Sequence, residues 1–353
     1  MSVRDELEAP GCPLPLDGYD EIVLGHGSGG RMSAELLERV ILPALGRDPS
    51  ETLEDSASIT LAPGEGSLAF TTDSFVIRPI FFPGGDIGEL AVNGTVNDLA
   101  VAGAEPRFLS VAMILEEGLP IRDLRTIVES MRRAADRAGV RIVAGDTKVV
   151  DRGKGDRIFV NTTGIGVRRA SSVLSVAAAQ PGDCVVVSGT IGDHGIAILS
   201  VREGIEFETG LCSDTAPLNS LTAALLEKCP NVRCMRDPTR GGLSSTLNEI
   251  AAASRCGIEV TERDVPIRDE VRGACELLGL DPFYVANEGK LVAIVRSSDS
   301  EAVLAALRAH PLGAQSRIIG RVVGDHPGRV IVRSSVGARV LSVLAGEQLP
   351  RIC

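Results

Sequence analysis

Apolar positions change their period along the chain, and each change predicts an element. Residues 67–73 alternate and predict a strand that ends on a carboxylate; residues 107–115 alternate, then run apolar, and predict another. Between them, residues 89–102 have helical spacing at Leu90, Val92, Val96, Leu99 and Ala100. A clearer helix follows. Ile121, Leu124, Ile127, Val128, Met131, Ala134, Ala135 and Ala138 fall on one face, with Pro120 starting it and Gly139 stopping it. Residues 140–145 and 157–167 predict further strands. The small-residue stretch 171–181 predicts a boundary, beyond which a second α/β unit begins with a strand at 183–189. Helices are expected near 195–201, at 218–228, at 243–254 closed by Gly257, and at 301–310; strands are expected at 291–295, 318–323 and 329–332. The predicted class is α/β (α+β) with mixed sheets. One domain covers 1–170, a second 171–338, and residues 339–353 form a mobile tail broken by Gly346 and Pro350.

Composition narrows the functions open to this fold. A chain of 353 residues suits two cores, and 39 glycines suit tight turns. Aromatic residues make up only 3%, Trp is absent and the net charge is -11, which disfavours nucleic acid and anionic membrane as partners. No apolar run reaches transmembrane length and Met1 to Pro15 has no apolar core, so a cytoplasmic protein is expected. Its eight cysteines then read as reduced thiols, without the paired spacing of a structural zinc site.

The candidate chemistry lies where strands end and helices begin. Gly25-His-Gly-Ser-Gly-Gly30 is a Gly-rich strand-to-helix turn: either a backbone cradle for phosphate oxygens or an ordinary flexible turn, with His26 a ligand or a loop side chain. The helix at 89–102 contains poor helix formers. Asn93 and Asn97, like Gly94 and Asp98, are four apart and form a polar strip for an oxygen-liganded cation or nucleotide, or a polar face at a subunit interface. Asp146-Thr-Lys148 is expected at a strand end, where carboxylate, hydroxyl and ammonium suit a metal-bound triphosphate; Lys148 has the alternative of a solvated surface charge. Asp237 precedes another Gly-rich helix start, echoing Asp73 and Asp98. Asn287-Glu288 is placed for binding or proton transfer. Cys353, the last residue of the sequence, sits on the short tail.

These motifs carry a resemblance. Gly25-His-Gly-Ser-Gly-Gly30, Phe81-Phe-Pro-Gly-Gly-Asp-Ile-Gly88, Gly94-Thr-Val-Asn-Asp-Leu99, Gly145-Asp-Thr-Lys-Val-Val150, Asp237-Pro-Thr-Arg-Gly-Gly242, Asn287-Glu-Gly289 and Pro350-Arg-Ile-Cys353 are similar to those of the HypE hydrogenase maturation family. That family lies in the superfamily of aminoimidazole ribonucleotide synthetase and selenophosphate synthetase. The resemblance covers nearly the whole chain, and the terminal motif is absent from the wider superfamily. It implies a two-domain subunit, a homodimer formed through the N-terminal halves, and ATP with Mg2+ in a cleft near that interface. Cys353 is then carbamoylated by HypF, dehydrated with ATP from S-carboxamide to thiocyanate, and relieved of cyanide by HypC–HypD for the iron of the nickel-iron site. Asp55, Asp73, Asp98 and Asp237 are the implied magnesium ligands. Gly25, His26, Gly27, Gly29, Gly30, Asn97, Asp146, Thr147 and Asn287 are the implied nucleotide residues, and Glu288 and Lys148 the implied proton carriers. Two rival expectations remain: a small-molecule ATP enzyme of the same superfamily, and a non-enzymatic docking protein that uses its tail.

Overall fold

The computed structural model describes residues 30–36, 38–39, 57–60, 67–168, 174–204, 210–344, 346, 349 and 351–353. Gly25, His26, Gly27, Gly29 and Asp55 lie outside the described residues.

In chain order the first half comprises α1 (Arg31–Leu36), β1 (Ala57–Thr60), β2 (Ser67–Phe75), the short hairpin β3 (Phe81–Phe82) and β4 (Gly85–Asp86), α2 (Ile87–Val101), β5 (Ala104–Glu116), α3 (Ile121–Ala138), β6 (Arg141–Val150) and β7 (Ile158–Arg168). Five of the strands form one sheet in the order β1-β2-β7-β5-β6. Pairing is antiparallel except between β5 and β6, so β6 is a parallel edge strand. Asp86 caps α2, accepting from the Gly88 and Glu89 amides at 2.7 and 3.2 Å. Poor helix formers survive in α2 because it is buried almost all round, between the sheet and α3, where packing outweighs local propensity. The expected end of α3 is observed: Gly139 takes φ 69° as a left-handed cap. Its expected apolar face is only partly covered. Ile127, Met131, Ala134, Ala135 and Ala138 are buried, whereas Ile121 and Val128 are exposed.

The second half comprises β8 (Cys184–Val187), α4 (Asp193–Glu203), α5 (Asn219–Lys228), β9 (Cys234–Arg236), α6 (Gly242–Ser254), β10 (Gly257–Thr261), α7 (Asp269–Leu278), β11 (Val292–Val295), α8 (Ser300–Arg308), β12 (Arg317–Val323), β13 (Val330–Arg333) and β14 (Ala338–Leu341). Its seven-stranded mixed sheet has the order β14-β13-β10-β12-β8-β11-β9. Two expectations are corrected here. Gly257 does not close α6; Arg255 takes the left-handed cap at φ 57°, and Gly257 opens β10, where an added Cβ would lie 1.9 Å from the Asp325 carbonyl oxygen. Residues 339–341, expected in the tail, belong to β14 and pair with β13.

The tail returns to the first half. Ile352 and Cys353 belong to the hydrophobic cluster of Phe75, Ile77, Leu90 and Val92, together with Ile198 and Ala286 from the second half. Covering Ile352 contributes roughly 1.5–3 kcal/mol to holding the tail inward.

Candidate active site

A cavity of about 280 Å3 opens between the two halves, and Cys353 lies in its wall. The first sheet supplies Thr71 and Asp73 from β2, while α2 passes above with Gly94 and Asp98. A Cβ on Gly94 would meet the Phe75 ring at 2.8 Å and stand 3.6 Å from Asp73 Oδ2, so only glycine lets this helix come so close to the strand. Thr71 Oγ1 donates to Asp98 Oδ2 at 2.8 Å. The second half brings Asp237 from the end of β9, Arg240 from the turn before α6, and Glu288 from the loop before β11.

Five side-chain carboxylates, those of Asp73, Asp98, Asp237, Glu249 and Glu288, therefore share a small space with one lining cation, Arg240. Burial pushes Asp237 up to about 6, opposed by Arg236 and reinforced by Asp73. Burial, then the charges of Asp237, Asp73 and Asp214, hold Glu288 well above the usual carboxylate range. Asp73 is also raised by burial, against Arg240 and the Ser74 amide at 2.8 Å. Glu288 is 2% exposed and its Oε1 has no hydrogen-bond partner. Beside it, Arg240 Nε donates to Cys353 Sγ at 3.0 Å. Burial nevertheless pushes that thiol up to about 12, so at neutral pH the sulfur here is a poor nucleophile.

The tail is fixed by its backbone as well. The Val76 amide donates to the Cys353 carbonyl oxygen and the Arg78 amide to that of Arg351, both at 3.2 Å. Arg202 donates to the Arg351 carbonyl oxygen, and Arg351 Nη1 bonds Asp156 at 2.6 Å. His194, wholly buried at the start of α4, bonds the Ile352 carbonyl oxygen at 2.7 Å. None of Arg240, Arg202 and His194 was singled out in the sequence. Arg240 at least sits inside the Asp237-Pro-Thr-Arg-Gly-Gly242 motif, and His194 opens a helix after Gly192.

Other expected site residues take different positions. The polar strip of α2 divides: Asp98 and Gly94 face the cavity, while Asn97 bonds the carbonyl oxygens of Ala216 and Glu288 at 3.1 and 3.2 Å and the Leu218 amide at 2.8 Å. Asn287 is likewise committed to backbone, accepting from Gly192 at 2.7 Å and donating to Pro238 at 2.8 Å. It shapes the Glu288 loop. That loop is pinned by Asp214, which accepts from the Glu288 amide and from Lys290, each at 3.0 Å. Gly30 is buried and lines a smaller cavity with Arg240, Leu349 and Ile352. Asp146, Thr147 and Lys148 do not sit at a strand end and do not join the cavity. They lie within exposed β6, where Lys148 Nζ bonds Asp146 at 2.6 Å. Among the described residues, no three His, Cys, Asp or Glu side chains converge closely enough to hold a metal ion alone.

Two domain models of AIR synthase related proteins match, the N-terminal domain over residues 53–168 and the C-terminal domain over 180–333, which places the fold in that class. The carbamoyl dehydratase HypE of Cupriavidus necator is 51% identical over 333 residues, covering 94% of this chain and 95% of that protein. A solved structure of the hydrogenase maturation protein HypE in complex with ATP is 48% identical, with a TM-score of 0.79, covering 94% of this chain and 100% of that one. The structure of a HypE–HypF complex contains a chain 45% identical with a TM-score of 0.82, covering 88% of this chain and 99% of that one. The chain belongs to the HypE family of carbamoyl dehydratases.

Proposed function

We propose that this protein carries a carbamoyl group on Cys353 and dehydrates it, with ATP, to a thiocyanate that supplies cyanide to the iron of a nickel-iron hydrogenase. The observation that carries this reading is the seat of Cys353, with its sulfur on Arg240 in a cavity that also holds the buried Glu288, whose Oε1 is unpartnered. The curated relatives named carbamoyl dehydratase and the ATP-bound relative support it.

The chemistry fits the residues present. A carboxamide oxygen leaves badly, so ATP must first place a phosphoryl group on it, giving ADP. Loss of that oxygen as phosphate, with removal of the two nitrogen protons, leaves S–C≡N. Arg240 neutralises charge as it gathers beside the sulfur. Glu288, raised by burial and by neighbouring acids, is a stronger base than an ordinary carboxylate and is our choice for a nitrogen proton. Asp73, Asp98 and Asp237 offer hard oxygen donors to a divalent cation. Their excess negative charge fits Mg2+, which takes one or two carboxylates and completes its shell with phosphate and water. Such a cation neutralises the triphosphate.

Lys148, Asp146 and Thr147 need a second copy to take part. The edge strand β6 is exposed along its length; Ile142 and Val128 line a groove between β6 and α3, and Val143 is exposed on the same strand. An unpaired apolar edge is a ready dimer surface, and we place the homodimer there. HypF is proposed as carbamoyl donor, by analogy with the HypE–HypF complex, and HypC–HypD as acceptor. No helix among the described residues is long and apolar enough to cross a membrane, and we infer a cytoplasmic setting.

Phosphate stoichiometry tests the reading. Carbamoylated protein should release one phosphate per chain from ATP and then stop, and Cys353→Ser should release none. Repeated turnover by Cys353→Ser on a small molecule would overturn it in favour of a synthetase.

A further inference from the structure

The C-terminal tail is held where His194 stands, the buried imidazole among the described residues. A carbonyl oxygen only accepts, so the 2.7 Å contact between His194 and Ile352 requires the ring proton on Nε2. Nδ1 then accepts from Ser213 Oγ at 2.7 Å, and that oxygen accepts in turn from the Thr215 amide at 3.1 Å. The Ser213 amide donates to the Pro83 carbonyl oxygen at 2.8 Å, and Phe82 packs edge-on against the imidazole at 5.7 Å. Every polar atom of the ring is thus used, and the network fixes which nitrogen faces the tail.

The same short segment governs the opposite wall of the cavity. Asp214, next to Ser213, receives the Glu288 amide and the Lys290 ammonium. An added Cβ on Gly289 would lie 1.7 Å from the Asp214 carbonyl oxygen, so the Glu288 loop lies directly on this segment. His194 reaches the residue before Cys353, and Ser213–Asp214 reaches Glu288.

We propose that His194 is the latch of the tail: through its Nε2 proton it fixes the Ile352 carbonyl and so registers the group on Cys353 with Glu288. It touches no reacting atom and acts as a positioning residue. The proposal rests on the dehydratase reading only for its catalytic consequence. As a tail latch it stands on geometry alone. Outward movement of Cys353 leaves Nε2–H without its acceptor in a buried site, so the inward state is favoured whenever the ring holds this tautomer. A partner that receives the one-carbon group must offset that cost.

Two substitutions separate the latch from simple packing. Asn is long enough to reach the Ser213 side but too short to reach Ile352, whereas Gln extends a donor to the Nε2 position; both lose the ring that packs on Phe82. Alkylation of unmodified protein, followed by peptide mass spectrometry, reads how often Cys353 is exposed. His194→Asn should alkylate Cys353 about tenfold faster, the effect of losing one buried hydrogen bond, while His194→Gln should stay within about twofold of wild type. Cys234 and Cys256, both buried in the second half, should stay unreactive in each. Equal rates for wild type and Asn, or equal acceleration by Asn and Gln, would overturn the latch. If Cys234 and Cys256 react in the Asn variant, Ser213→Ala decides instead. It removes the Nδ1 partner, together with the acceptor of the Thr215 amide, while leaving the imidazole in place, and should accelerate Cys353 by about twofold to fivefold; no acceleration overturns the proposal. In single-turnover dehydration at saturating ATP, His194→Asn should be slowed and the Gln variant restored, with carbamoylation no slower than wild type in either. Failure of wild type to dehydrate would sink the dehydratase reading, and the alkylation rates would still judge the latch.

Discussion

Glu288 and Lys148, the two residues expected to move protons, stand in opposite surroundings. Glu288 is buried among Asp237, Asp73 and Asp214, with one oxygen unpartnered. Lys148 lies on the exposed edge β6 and is bonded to Asp146, whose carboxyl is held below its usual range first by that hydrogen bond. Sequence type alone made them equal candidates. Burial separates them, because a buried acid among acids acquires a useful basicity, while an exposed ion pair is screened and weakly held. The cavity is thus chemically poised within one chain, and the β6 edge acquires a role only when something covers it.

The contrast is broken most severely at Cys353. Cys353→Ser should lose thiocyanate formation entirely while keeping its fold, as followed by mass spectrometry and circular dichroism. Any cyanide delivery by this variant would remove the tail from the chemistry. Glu288→Gln should lower the dehydration rate by about 100-fold to 10,000-fold, the usual range for a general base, with carbamoylation intact. Normal dehydration would move the proton step elsewhere, with Lys148 first in line.

Asp237 sharpens the comparison through stability. Its folded carboxyl is raised from 3.8 to about 6, so the folded state binds a proton more tightly than the unfolded chain does. Stability from this group is fully present below pH 4 and is lost as the pH rises through about 6. Without nucleotide, Asp237→Asn should therefore be more stable than wild type at pH 8 by roughly 1–3 kcal/mol, with the gain vanishing towards pH 4. Denaturant titration at the two pH values checks it; a constant difference would contradict the assignment. The same variant should gain less thermal protection from Mg-ATP. On the edge strand, Val143→Lys should shift sedimentation towards monomer without changing the fold. The smallest effect is expected for Lys148→Ala, with no shift in Tm for the single chain, where its ion pair is exposed. A marked loss of stability would mean that the pair is buried in the assembly.

Much of the framework was legible in the local pattern. The strands at 67–75 and 104–116 and the helix at 121–138 appeared because period and end signals agree within each segment. The anomaly of α2, polar residues in an apolar helix, includes Asp98, which lines the cavity. The pattern did not reveal how the strip divides, because Asn97 is satisfied by residues 216, 218 and 288, more than a hundred positions away. The same distance hid His194 and Asp214: neither has a local motif that marks a tail contact or a loop anchor. The short strands β10 and β14 and the helix α7 escaped because none carries a long periodic run. Lys148 was misplaced because β6 continues through Asp146 to Val150 instead of ending before them.

The central claim is that the buried cavity, and not the exposed edge alone, turns a carbamoyl group on Cys353 into a nitrile. Intact mass spectrometry with fragmentation of the tail tests it most directly, first after incubation with the carbamoyl donor and then after addition of ATP. The account predicts one carbamoyl adduct at Cys353 that loses one water only with ATP in wild type, and that persists unchanged in Glu288→Gln. An unmodified tail, or loss of water without ATP, would contradict it.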